Sequence, residues 1–343
     1  MPSKIRVIQY GVGPIGAAIV RLLLEKADVE IVGAIDIDPD KVGKDLGPVA
    51  EVDRNIGVII SDQAAVVLKS PADIVVHSTS SYLNDVMDQL TACLDEGLTI
   101  ISTCEELAYP FRKHPKHSER LDRMAREEGA AVLGTGVNPG FVMDKLVLTL
   151  AAACQRVSAV QARRTVDAAK RRLALQKKVG AGLTEEEFRK MVHEGKIKHH
   201  GLPESAAMIA DALGLPADRI TETIEPVLAT EVVRTEFLEV PPGRVAGVRQ
   251  VARGVTDGGE TIHLELQMYV GAADPADEVR IQGVPDLHFR IPGGTHGDLA
   301  TAAVVVNCIP ALLEARPGLR TSRDIPMCYF TGLLARREVR AAS

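Results

Sequence analysis

Six residues near the start, Gly11-Val12-Gly13-Pro14-Ile15-Gly16, limit what this chain can fold into more than any other stretch. They follow a short β-branched apolar run at 5–10 and open a segment of helical spacing at 15–24. A strand must therefore pass into a helix across almost bare backbone. Glycines permit the tight turn and let an anionic ligand approach the main chain. The helix start offers unpaired N–H groups and the positive end of its dipole. Pro14 suits that first turn, where its missing N–H costs nothing. Asp36 stands twenty residues after Gly16, at the end of a second strand-like run at 30–35. A carboxylate there would accept hydrogen bonds from an adenosine ribose. This reading gives Gly11, Gly13, Pro14, Ile15, Gly16 and Asp36 to dinucleotide binding. The bland alternative is a glycine turn that binds nothing. The same carboxylate would repel a 2′-phosphate, so NAD is expected. Asp38 adds to the repulsion, whereas Lys41 and Lys44 moderate it and leave NADP open.

Strand-like and helix-like segments keep alternating beyond this point, with strands at 58–60, 74–76, 99–101 and 131–133 and helices at 83–94 and 118–128. That order predicts a parallel sheet covered by helices on both faces, a Rossmann-type domain. The texture changes at Asn138, which can cap a helix opening on Pro139 and running to about residue 154. Longer strands are predicted at 157–166, 231–240, 245–255 and 261–270, with a hairpin turn at 256–260. Thr184 and Glu187 form a capping box, and a helix at 204–213 ends at Gly214. The expected fold class is α/β, an N-terminal Rossmann-type parallel sheet plus a C-terminal α+β domain with a mainly antiparallel sheet. The first domain is expected at 1–137, completed by a helical segment at about 297–343, and the second at 138–296.

A length of 343 residues agrees with two domains at roughly 150 residues each. The formal net charge of −6 argues against a nucleic-acid partner. The basic run at 163–198 reads as a solvated face, because Asp167, Glu185, Glu186, Glu187 and Glu194 interleave with it. Five cysteines without metal-ligand spacing predict free thiols in a reducing compartment, hence a cytoplasmic protein, and no metal site. No apolar leader precedes the first strand, and the most apolar late stretch, 299–313, is too short for a bilayer, so no membrane partner is expected.

In an open parallel sheet, ligands bind beyond the carboxyl ends of the strands. Ser78, Thr79 and Ser80 follow the fourth strand, placed either to touch ribose or pyrophosphate or to cap the next helix. Ser102-Thr103-Cys104-Glu105-Glu106 follows the fifth. Cys104 offers a thiolate nucleophile, as in an acylating semialdehyde dehydrogenase, or is a buried inert thiol. Either glutamate offers a general base beside a nicotinamide, or simply starts a solvated helix. Local sequence does not separate Glu105 from Glu106.

GVGPIG, GAIDIDPDKVGKDLG, STCEELAYP, GTGVNPGFVMD, RRTVDAAKRRLALQKKVGAG and HHGLPESAAMIADALG together resemble the 2,4-diaminopentanoate dehydrogenase family, which includes native NAD(P)-dependent amine dehydrogenases. The similarity runs from residue 5 to about 326. More distantly the chain resembles dihydrodipicolinate reductase, sharing the Asn138-Pro139-Gly140 turn but lacking its paired-histidine substrate motif. The resemblance implies reversible oxidative deamination of a primary amine, or reductive amination of a ketone or aldehyde with ammonia. It implies Glu105 as the acid/base, and Thr103 and Asn138 at the cofactor, Asn138 on its carboxamide. Val137, Phe141, Val142, Arg164, Thr165, His199, His200 and His263 are implied as substrate-pocket residues. A homodimer built through the second domain's sheet is expected on the same ground. A diamino acid is the alternative substrate, and its carboxylate would need a basic anchor such as Arg163, Arg164, Arg171 or Arg172. The alternative of another class is a dinucleotide-sensing regulator without turnover.

Overall fold

The computed structural model describes residues 4–170 and 173–334. They form two compact units, one running to Phe141 and resuming at His296, the other Val142–Thr295. The chain opens with β1 (Ile5–Tyr10), α1 (Pro14–Leu24), β2 (Val29–Ile35), α2 (Leu46–Val49), β3 (Ile60–Ser61) and α3 (Ala64–Val67). It continues with β4 (Ile74–His77), α4 (Leu83–Asp95), β5 (Thr99–Ser102), α5 (Pro115–Glu127) and β6 (Ala131–Gly134). The second unit holds α6 (Lys145–Ala151), β7 (Arg156–Asp167), α7 (Leu173–Lys178), α8 (Glu185–His193), α9 (Leu202–Leu213) and β8 (Arg219–Leu228). It then adds β9 (Val233–Arg234), β10 (Glu239–Val240), β11 (Val245–Thr256), β12 (Gly259–Tyr269), β13 (Ala276–Val284) and β14 (Leu287–Pro292). Last, α10 (Gly297–Leu313) and β15 (Gly318–Arg320) return to the first unit.

The first sheet is parallel throughout, in the order β15-β6-β5-β4-β1-β2-β3. Its strands are apolar on both faces, as a sheet buried on both sides requires. Alternate residues divide between two cores. Val7, Val76, Ile101 and Leu133 pack with α1 and α10, while Ile8, Val75, Ile100 and Val132 pack with α4 and α5. Strand order reverses between β1 and β4, so the crevice of this sheet opens at their carboxyl ends.

The second sheet runs β14-β13-β7-β12-β11-β8. Its pairs are antiparallel except β7 with β12, so the sheet is mixed. Residues 231–240 form two short paired strands, β9 and β10, instead of one long strand. The sequence reading missed three strands here. β8 carries Pro226 and alternates Thr and Glu on an edge, a weak signal. β13 begins with charged residues that turn out to be buried. β14 exposes three consecutive residues, His288, Phe289 and Arg290. The helix expected from Asn138 starts instead at Lys145, because Asp144 accepts its N–H and serves as the cap.

Register here is pinned by charge. Arg163 faces Glu278 and Arg164 faces Asp277 across β7 and β13. Neighbouring residues point to opposite faces, so one register makes an ion pair on each side of the sheet. Arg164 donates to both Asp277 oxygens at 2.9 Å and to the Thr295 hydroxyl at 2.6 Å. Its guanidinium is almost fully buried, whereas the side chain of Arg163 is 55% exposed. Asp277→Ala is therefore expected to destabilise the fold by about 3–5 kcal/mol, leaving a buried charge unpaired. Arg163→Ala should cost about 1 kcal/mol or less. Urea unfolding midpoints of the two variants check this ordering.

Candidate functional site

The glycine loop closes against the ends of β1, β2 and β4. Gly11 adopts φ +88°, and a Cβ there would lie 2.5 Å from the Ser78 carbonyl oxygen. Gly13 is different, since open space surrounds its missing Cβ. The protein's own packing does not demand glycine at that position, which fits close approach by a ligand. Asp36 accepts from Val12 N–H at 2.7 Å and Asp38 N–H at 2.9 Å, so the ribose candidate also ties the loop to the end of β2. Lys41 Nζ lies 3.5 Å from Asp36 and 3.1 Å from Asp38, and tempers their joint negative field.

The three hydroxyls after β4 bond to the protein itself. Ser78 donates to the Gly11 carbonyl at 2.9 Å, and Gln9 Nε2 donates to both Gly11 O and Ser78 Oγ. Thr79 donates to Gln89 Oε1 at 2.7 Å. Ser80 donates to Asp85 and accepts Tyr82 N–H at the start of α4. These side chains shape the crevice.

A short 3-10 turn, Glu105–Ala108, follows β5 and parts the two glutamates. Glu106 is buried and accepts from Leu83 N–H at 2.8 Å, with Lys113 at 2.5 Å and His114 at 3.0 Å. Burial alone would raise its carboxyl, but Lys113, Leu83 N–H and His114 outweigh burial and hold it below the ordinary range. Glu106 is a structural anchor for α4. Glu105 is half-buried and lines a small recess with Thr103, Thr135, Val137, Asn138 and Thr301. Cys104 is buried, its thiol donates to the Ser81 carbonyl at 3.4 Å, and burial pushes it up to about 12. A thiol held that way is a poor nucleophile, which counts against the semialdehyde dehydrogenase reading.

Asn138 forms the far side of the recess. Its Oδ1 and Nδ2 are buried without a hydrogen-bond partner among the described residues, as is Thr135 Oγ1. Val137 is buried, and its N–H is held by the Thr301 hydroxyl of α10 at 3.3 Å. An unpartnered primary amide offers one donor and one acceptor face, the pattern a carboxamide completes. Loop, carboxylate and orphan amide thus fit a nicotinamide dinucleotide. Among the described residues, no group of three or more His, Cys, Asp or Glu could hold a metal ion.

The remaining expected pocket residues are Phe141 in the first unit and six in the second, and those six do not share one face. Arg164 lies on the sheet face of Leu266 and Gln250, Thr165 and His263 on the opposite one. His199 joins the first group, because Gln250 bonds both its N–H and its carbonyl. Burial, together with Lys178 and Arg164, pushes its imidazole down to about 3, so it is neutral. His200 and Val142 are buried. His263 sits between Glu265 at 3.3 Å and Glu260 at 2.8 Å, which raise its pKa and place it in a surface ion cluster with Arg249 and Arg253. Arg171 and Arg172 lie outside the described residues. Sequence reading assigned no role to Gln9, Gln89, Ser102, Thr135 and Thr301, although Ser102 and Thr135 lie inside motifs it singled out. Gln9 also left a signal, a polar residue inside the apolar run of β1.

Comparison with known proteins identifies the family. Residues 141–338 match the family model for the 2,4-diaminopentanoate dehydrogenase C-terminal domain, and residues 5–104 that for the dihydrodipicolinate reductase N-terminus. A 2,4-diaminopentanoate dehydrogenase of Acetoanaerobium sticklandii is 33% identical over 95% of this chain and 94% of its own. An amine dehydrogenase of Streptomyces virginiae is 25% identical over 97% and 99%. The structure of an amine dehydrogenase from Mycobacterium smegmatis superposes with a TM-score of 0.84 at 29% identity, covering 97% of this chain and 99% of that one.

Two outcomes follow from the fates of Glu106 and Cys104. A carboxyl depressed in the folded state stabilises fully above its unfolded value, ordinarily 4.5, and loses that contribution as pH falls through the folded value. Glu106→Gln should therefore unfold at lower urea than wild type at pH 7, with the gap closing below about pH 4.5. Cys104→Ser should keep turnover within about 3-fold, and iodoacetamide should leave Cys104 of the folded protein unlabelled by mass spectrometry.

Proposed function

The chain belongs to the 2,4-diaminopentanoate dehydrogenase family, and from that footing we propose that it catalyses the NAD(P)-dependent, reversible oxidative deamination of a primary amine, in reverse the reductive amination of a ketone or aldehyde with ammonia. The observation that carries this reading is the recess where Glu105 stands with the orphan amide of Asn138. A bound nicotinamide would supply the hydride acceptor. Asn138 holds its carboxamide, and the loop from Gly11 to Gly16 with Asp36 holds the adenosine half. Loss of hydride from the amine-bearing carbon leaves an iminium cation, and the Glu105 carboxylate stabilises that charge. Glu105 then accepts a proton from the water that adds to the carbon, returns it to nitrogen, and takes the hydroxyl proton of the carbinolamine as the carbon–nitrogen bond breaks, leaving the carbonyl and ammonia. Buried Val137 helps exclude bulk water from that exchange.

Arg164 bears on substrate choice. Its guanidinium is spent on Asp277 and Thr295, and Arg163 pairs with Glu278, which favours an amine without a carboxylate. The 33% identity to a 2,4-diaminopentanoate dehydrogenase keeps that diamino acid as the second reading. Asp36 and Asp38 favour NAD, and Lys41 between them supports acceptance of NADP. A homodimer through the second unit's sheet, and a reducing cytoplasmic setting for five free cysteines, complete the proposal.

Ketones with and without a carboxylate are incubated with NADH, with and without ammonium. NADH consumption should require ammonium. Equal consumption without it would mean carbonyl reduction, and NADH binding with no turnover at all would mean a regulator. Glu105→Gln should lower kcat about 100-fold or more while the Kd for NADH moves less than about 3-fold. Asn138→Ala should raise the KM for NADH by roughly 10-fold, one hydrogen-bonded group lost.

A further inference from the structure

We propose that His77 is a positioning residue for the turn that carries Glu105: its ring Nδ1 takes the Ser102 hydroxyl, which leaves Ser102 Oγ oriented to receive the Cys104 N–H. The inference rests on Glu105 being the acid/base.

His77 ends β4, fully buried, beside Ser102 at the end of β5. Its carbonyl accepts Thr103 N–H at 2.9 Å. Its Nδ1 lies 2.9 Å from Ser102 Oγ, and Ser102 Oγ accepts Cys104 N–H at 3.0 Å. The two residues immediately before Glu105 therefore have their N–H groups fixed by His77, one directly and one through a hydroxyl. On its other side, Nε2 lies 2.7 Å from Gln89 Oε1 on α4, and Thr79 donates to the same oxygen at 2.7 Å. The edge of the Tyr10 ring packs against the imidazole, with centroids 5.4 Å apart.

The direction of every link follows. Gln89 Oε1 can only accept, so Nε2 carries the proton and Nδ1 is bare. Ser102 must then give its proton to Nδ1, which frees its lone pairs for Cys104 N–H. A cationic ring would put a proton on Nδ1 and turn donor against donor. Burial prevents this, holding His77 down to about 4. The device is thus a neutral acceptor of fixed tautomer, placed beneath the turn. Its value is geometric, because displacing a reacting group by about 1 Å can cost roughly 100-fold in rate.

Two amide replacements separate the ring's two ends. His77→Asn sets an amide oxygen near the place of Nδ1 and keeps an acceptor for Ser102. His77→Gln reaches the place of Nε2, keeps the contact with Gln89 and leaves Ser102 none. H77N is expected to hold kcat within about 3-fold, while H77Q and Ser102→Ala lose about 10- to 100-fold with KM for NADH little changed. The double variant H77Q/S102A should lose no more than the worse single one, since both break the same link. A merely structural role would lower the melting temperature of H77N and H77Q alike and leave kcat per folded molecule intact. Equal kcat losses in the two, an unchanged kcat in H77Q, or multiplying losses in the double variant would overturn the proposal. Should both position-77 variants fail to fold, S102A decides alone, and a wild-type kcat there sinks it. Glu105→Gln is run beside them. If it stays active, the functional reading itself has failed. If it is inactive while the Asn and Gln variants behave alike, only the role of His77 has failed.

Discussion

Strands β1, β4 and β5 lie side by side in parallel, and their carboxyl ends bring the proposed cofactor loop and the proposed base to one edge of the sheet. Those ends are buried yet carry polar side chains, which is costly unless each finds a partner. Gln9, His77 and Ser102 are all fully buried, and each is bonded to a neighbouring loop. Gln9 and Ser78 grip the carbonyl of Gly11, while His77 and Ser102 grip the turn before Glu105. The glycine loop and the turn carrying the proposed base are thereby fastened to one polar belt. Displacing either loop would unpair groups beneath it.

Adjacent glutamates with different fates illustrate how burial sorts chemistry. Glu106 meets a lysine, a histidine and a helix N–H, and anchors α4. Glu105 turns toward the recess that Asn138 completes. A buried amide without partners costs about 1–3 kcal/mol, a penalty that a bound carboxamide would offset. A fold keeps such a group where binding makes use of it.

In the second unit the same logic runs through sheet register. Arg163 and Arg164 are neighbours in sequence, but pleating sends them to opposite faces, where Glu278 and Asp277 wait in the matching order. A slip of one residue would put each arginine on the wrong side. The pair that fixes register on the buried face also occupies the Arg164 guanidinium.

The sequence was informative wherever the signal is local. The glycine loop, the alternation of strands and helices, the capping box at Thr184 and the helix end at Gly214 all depend on residues a few positions apart, and all are present. Asp277 and Glu278 hid β13, because charges inside a strand look like a loop until partners 113 and 115 residues away are brought opposite them. Pro226 hid β8 in the same way, since only the sheet order reveals an edge strand. The choice between Glu105 and Glu106 had no local answer either. Two identical side chains in succession differ only in what the fold brings to each, and Leu83, Lys113 and His114 meet Glu106. Chain order fixed which chemistry was on offer, while tertiary packing decided the surroundings of each group, because a carboxylate's partners are set by three-dimensional neighbours and not by its place in the string.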